Sequence, residues 1–233
     1  MNRMTTLINM IDHFKNNLKR IVLYAFFINF SVSWAGSYED FFQATQRDQV
    51  QVVSNLLSRG FDPNTVNVNA EPAIFDAWDH GALKVLESLI RHPNTKLNVK
   101  NSHGESLLML VCLKGNLKFS QLLIERQADI NHPGWTPLHY AATNGNTKIV
   151  KMLLDESAYI DAESPNGTTP LMMAARYGSP EAVQLLINEG ADIHLKNQLG
   201  LTALNFAKDG GRPDTIRLVE TALAQAAAAP AKR

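Results

Sequence analysis

Cysteine is nearly absent from this chain of 233 residues: Cys112 is the single thiol, so no disulfide can form within the chain, and a disulfide-stapled fold is excluded. Charge of one sign is missing too. Twenty-two basic side chains balance 22 acidic ones, which leaves no global positive field of the kind that phosphate-backbone binding needs, so nucleic acid is not expected as a partner. The balance is uneven. Residues 1–35 carry a net +3 from Arg3, Lys15, Lys19 and Arg20 against Asp12, and the remainder is mildly acidic. No apolar run reaches the roughly twenty residues of a membrane-spanning helix. No phosphate-cradling glycine loop, nucleophile elbow, paired-carboxylate motif or metal-ligand spacing occurs. The composition therefore argues against an enzyme and implies neither cofactor nor metal.

What the chain does have is a period. Thr136-Pro137-Leu138 returns thirty-three residues later as Thr169-Pro170-Leu171 and again as Thr202-Ala203-Leu204, with Gly145, Gly178 and Gly211 keeping the same step. A fixed period of this length is the mark of a solenoid. Within the unit, Thr136 can accept a backbone N–H and Pro137 stands where a missing N–H costs nothing, which marks a helix start. Leu138, Ala141 and Ala142 form a narrow apolar stripe, and Gly145 offers a positive φ to end that helix. A second stripe, Ile149, Val150, Leu153 and Leu154, predicts a second helix. Turn formers such as Ser164, Pro165 and Asn166 then project a loop or hairpin before the next pair.

These residues resemble the ankyrin repeat, whose Thr-Pro-Leu-His-x-Ala signature stands at Thr136–Ala141. The resemblance implies an all-α solenoid of stacked helix-turn-helix units with projecting β-hairpin or loop fingers. About six repeats fill residues 36–223, and residues 224–233 form an Ala-rich tail, helical until Pro230. The first repeat lacks the Thr-Pro-Leu start, as terminal repeats commonly do. The second is the most degenerate, with Trp78 in place of a small residue and a long exit, Arg91 to Asn98, that predicts an extra turn. The step from Ser106 to Thr136 is 30 residues, three short of the period, so the finger between repeats three and four should be stunted.

Residues 1–35 read as an export signal: a basic region at Lys15–Arg20, an apolar stretch from Ile21 to Phe30, and small residues Ser33 and Ala35 before a cleavage point at Gly36. The expected location is periplasmic or secreted, with no membrane span after cleavage. The alternative is an inner-membrane anchor formed by residues 21–35.

His139 and Cys112 invite catalytic readings, yet each sits at a position that the repeat packs. His139 is expected to bond neighbouring backbone, and Cys112 to act as a small buried hydrophobe. His103 and His132 lie near adjacent loop tips without the spacing of a known metal site. The resemblance instead implies a non-catalytic protein-binding module, acting as a monomer, whose concave loop and first-helix face holds a protein partner. Carried over position by position, the contact residues are Trp135, Asn144, Thr168, Arg176, Tyr177 and Leu201. Aromatic and arginine side chains are the usual interface anchors. A second reading, a periplasmic stress-protective or scaffold factor supporting an exported enzyme such as a peroxide-handling one, rests on likeness to periplasmic proteins of the same family.

Overall fold

A computed structural model of the chain describes residues 36–228. The export signal with its anchor alternative lies outside the described residues, as does the end of the tail. The described residues form paired helices: α1 (residues 36–46) with α2 (Val50–Ser58), α3 (Ala73–Asp79) with α4 (Leu83–Arg91), α5 (Leu107–Leu113) with α6 (Leu117–Glu125), α7 (Pro137–Asn144) with α8 (Thr147–Asp155), α9 (Pro170–Tyr177) with α10 (Pro180–Asn188), and α11 (Ala203–Asp209) with α12 (Pro213–Ala228). The last helix runs unbroken past Leu223, so the Ala-rich segment continues the sixth repeat's second helix rather than standing apart from it.

First helices stack on first helices through α5, α7, α9 and α11, and second helices follow on the opposite side. Small residues permit this approach. Ala77, Ala141, Ala142, Ala174, Ala175 and Ala207 are wholly buried between neighbours, and Cys112 takes the same kind of place, at hydrogen-bonding distance from Ser120 (3.6 Å). The second helices contribute the bulk of the core, with Val85, Leu86, Leu89, Ile149, Val150, Leu153, Val183 and Leu186 fully buried. One continuous apolar cluster therefore runs from Phe41 to Val219, and each unit is stabilised mainly by its neighbours.

The first helices α5, α7, α9 and α11 start on one device, which α3 lacks. Ser106, Thr136, Thr169 and Thr202 pair with the residue three positions on, so that Met109, His139, Met172 and Asn205 receive the cap residue's N–H on sulfur, nitrogen or oxygen. Gly145 ends α7 with φ +76°, as the sequence predicts, and a Cβ there would stand 2.6 Å from the Ser179 nitrogen. Gly178 differs. Its φ is −75°, and glycine is required for space, because a Cβ would meet the Ala142 carbonyl at 2.4 Å.

A second ladder joins the exit loops. Asn64, Asn98, Asn131 and Asp161 accept the backbone N–H of Lys96, Asp129, Tyr159 and Asp192 respectively, each one repeat onward. Three residues past three of these ladder positions, the fingers turn on Asn67, Asn101 and Ser164, whose side-chain oxygens accept N–H bonds from the loop. A fourth finger turns on Asn197 in the same way. After Asn131 that turn is missing, and the chain passes through Gly134 directly into the next helix. The three-residue deletion removes one finger and nothing else. Among the described residues the fingers hold no extended strands, only single bridges pairing Val66 with Pro72 and Lys100 with Ser106.

The degenerate second repeat is held from outside. Its exit makes the extra turn, and the Arg126 guanidinium clamps it by donating to the Ile90 and His92 carbonyls at 3.1 Å each. Asp48 of the first repeat, with φ +54°, accepts the Lys84 and Val85 N–H groups at 2.8 and 2.9 Å and so caps α4 across the repeat boundary. Nothing in the spacing of the sequence announces that bond.

Candidate partner-binding face

The missing finger leaves space on the first-helix side, and Trp135 turns into it. The indole is half-buried and meets the His139 ring edge-on, with centroids 5.2 Å apart. Leu113 from α5, Thr143 from α7 and Met173 from α9 complete, with Tyr140, a hollow of about 260 Å³. The lining is almost wholly apolar, and the one polar wall is fixed: the Tyr140 hydroxyl donates to Glu105 Oε1 at 2.8 Å, while Glu105 Oε2 accepts from Asn101 at 3.0 Å. Burial and the neighbouring carboxylate push the Tyr140 phenol above its ordinary range, so it stays a donor. A shallow apolar depression with one anchored polar edge suits a side chain presented from outside.

His139, beneath the indole, is held by backbone at both ring nitrogens. It is fully buried, its Nδ1 accepts the Thr136 N–H at 3.1 Å, and its Nε2–H donates to the Thr168 carbonyl at 2.9 Å. Burial lowers its pKa from 6.5 to about 4, outweighing the Thr168 bond, so the ring is neutral near pH 7. Cys112 is pushed up to about 12 by burial and so is held as the neutral thiol near pH 7. Among the described residues no group of three or more His, Cys, Asp or Glu side chains is placed to hold a metal ion. His132 lies instead beside Lys100, 3.4 Å from its amine.

Family models for ankyrin repeats match residues 41–132, 74–164 and 158–207. The chain belongs to the ankyrin-repeat family. Its curated relatives include the ankyrin repeat and SAM domain-containing protein 6 of Rattus norvegicus, 34% identical over 45% of this chain and 12% of that protein. Mouse protein phosphatase 1 regulatory subunit 27 is 33% identical over 37% of this chain and 58% of its own length. The chain thus spans only a fraction of these relatives. Among solved structures, a chain from a complex of a predatory endopeptidase of Bdellovibrio bacteriovorus with an immunity protein is 27% identical, with a TM-score of 0.66, covering 78% of this chain and 97% of that one. The human ASB11 ankyrin repeat domain shares the fold at a TM-score of 0.67 and 24% identity over 83% of this chain and 85% of that domain.

Against the ankyrin pattern, the sequence-derived contact residues fall into three groups. Trp135 lines the hollow, and Asn144 is exposed one residue beyond Thr143 on its rim. Tyr177 and Leu201 are exposed on later repeats, at 49% and 37%, and do not line that hollow. Arg176 is already engaged: its guanidinium bonds Asp209 at 2.6 Å across the repeat boundary and lies 5.0 Å from the Tyr177 ring. Thr168 is corrected. It is 2% exposed, with its N–H held by Ser164 and its carbonyl by His139, so it braces the finger and is closed to a partner. Sequence reasoning gave no special weight to Tyr140 and Met173. Both follow the signature position by one residue in successive repeats, and that register was the available signal.

Proposed function

We propose that this ankyrin-repeat protein is a non-catalytic module that holds a protein partner on its concave first-helix and finger face, centred on the hollow walled by Trp135, Leu113, Thr143 and Met173. The observation that carries this reading is the pairing of a deleted finger with a half-buried tryptophan over an apolar depression. A large aromatic left partly exposed on the face is what interface anchors are made of. Tyr177 and Leu201 extend the surface toward the sixth repeat, with Asn144 at the rim. The test is a paired one. Trp135→Ala and Tyr177→Ala are compared with the parent chain for melting and for capture of partner from the producing cell. Truncating a true anchor costs about 2 kcal/mol or more of binding, roughly thirtyfold in affinity. Equal loss of stability and capture would assign Trp135 to packing alone.

A second reading has one observation in its favour. The likeness to a chain of the endopeptidase and immunity protein complex fits a factor that restrains or supports an enzyme, which accords with the export signal read at residues 1–35. A single stoichiometric enzyme in the captured fraction supports it. Intact-mass analysis of exported protein checks the cleavage before Gly36, and a species retaining residues 21–35 would favour the anchor.

A further inference from the structure

At the other end of the solenoid, a second hollow of about 470 Å³ opens between α1 and the first finger, walled by Tyr38, Glu39, Phe42, Gln46, Asn67 and Asp76. Asp76 stands where Tyr140 stands in the fourth repeat, but it is a carboxylate and only 3% exposed. Its Oδ1 accepts from the Asn67 amide at 2.9 Å and from Gln46 at the long distance of 3.4 Å. Its Oδ2 takes no hydrogen bond from any group among the described residues. A buried carboxylate oxygen without a donor is costly to the fold, so Oδ2 has room for one from water, an ion or an incoming group.

The surroundings are mainly acidic, with His80 3.9 Å from Asp76 Oδ1. At the positions that carry partner contacts in ankyrin repeats, repeats two and three hold Glu71, Asp79 and Glu105 with His80, Leu113 and Lys114. Glu39 adds a further carboxylate in the hollow itself. Burial holds Glu71 and Asp79 above the usual carboxylate range, outweighing the Ser102 backbone bond to Glu71 and the pull of His80 and His103, with repulsion from Asp76 as a smaller contribution. Tyr38 and Phe42, tilted to each other with centroids 5.0 Å apart, supply an aromatic wall.

We propose that this hollow is a receptor for an arginine side chain on a basic segment of the protein partner, with the guanidinium displacing the Gln46 amide to pair with Asp76 and Glu39 beside the Tyr38 and Phe42 rings. Arginine fits better than lysine, because a planar fork can meet two carboxylates and lie against an aromatic face at once. Gln46 is exposed and weakly held, so the entry needs one side-chain rotation. The acidic positions Glu71, Asp79 and Glu105 continue the track toward the Trp135 hollow. This proposal rests on the reading of the face as a protein-binding surface, and it specifies the partner's chemistry.

The probe is a short arginine-glycine peptide and its citrulline twin, which keeps the shape and loses the charge, titrated into the full chain with amide NMR shifts as readout. The arginine peptide is expected to shift residues 38–46 and 67–80 and to bind at least about tenfold more tightly than the citrulline peptide. Asp76→Asn should weaken it by at least about tenfold and Glu39→Gln by about threefold. Since Asp76 is buried, the exposed Glu39→Gln variant decides the matter should Asp76→Asn fail to fold. Equal binding of the two peptides, shifts spread over the whole surface, or indifference to Glu39→Gln would overturn the proposal. Any of these results with Trp135-dependent capture intact leaves the broader binding reading standing, whereas loss of that dependence counts against the broader reading instead.

Discussion

Repeats two and four share a register and little else, and the contrast separates what the scaffold requires from what the surface is free to vary. In the fourth repeat the Thr136 and His139 box, the small Ala141 and Ala142 and the close approach at Gly145 are all present, and each bond is made within the repeat or to the next. In the second repeat Pro72 starts the helix without a side-chain cap, Trp78 replaces the small residue, and the helix ends are held from outside by Asp48 and Arg126. On the first-helix and finger side the contrast continues, with an apolar hollow under Trp135 and an acidic one around Asp76. The fold needs the buried stripe and the ladder of exit-loop bonds. The positions beside them are left to recognition.

The largest effect expected from breaking this comparison is in the core of the complete repeats. Leu138→Ala or Leu171→Ala, each at a fully buried position, should cost about 2–5 kcal/mol in denaturant unfolding. Hydrogen exchange should leave α7 to α10 protected longest, and slower exchange in α3 and α4 would reverse the ranking of the two repeats.

A second prediction uses pH. The His139 imidazole titrates at about 4 in the folded chain against 6.5 unexposed to the fold, because burial disfavours the cation. Between those values the unfolded chain binds more protons, so the stability from this group is fully present above pH 6.5 and is lost as pH falls toward 4. The full loss is about 3 kcal/mol. His139→Asn keeps the box in the form that Asn205 already uses at the sixth repeat. It should start less stable at pH 7 and show a flatter acid limb.

A smaller effect sharpens the cross-repeat cap. Asp48→Ala should cost about 1 kcal/mol by removing the acceptor for Lys84 and Val85. The loss should appear as faster exchange at the start of α4 with α8 unchanged. Smallest of all, Tyr177→Ala on the exposed surface should change stability by no more than about 0.5 kcal/mol.

Much of this was legible in the residues. The 33-residue step announced the all-helical solenoid, the Thr-Pro-Leu signature placed the starts of α7 and α9, and the short step from Ser106 to Thr136 located the missing finger. The His139 bond to the next repeat was legible from the signature, but Asp48 reaching the α4 backbone and Arg126 reaching the Ile90 carbonyl were not, because each spans 36 residues with no motif to mark it. Thr168 was misplaced for a related reason. Its equivalents Trp135 and Leu201 are partly open, but Thr168 lies under the imidazole that only the fourth repeat supplies, among Met109, His139, Met172 and Asn205. Asp76 escaped notice because a carboxylate on a first helix reads as solvated until its burial is seen.

The most direct test of the binding face is hydrogen exchange of the full chain with and without the partner captured from the producing cell. The account predicts slowed exchange confined to the first-helix and finger side, strongest at Leu113, Trp135 and Tyr140 through Thr143, with the second helices α6, α8 and α10 unchanged. Protection concentrated on those second helices, with the Trp135 hollow unaffected, would contradict it.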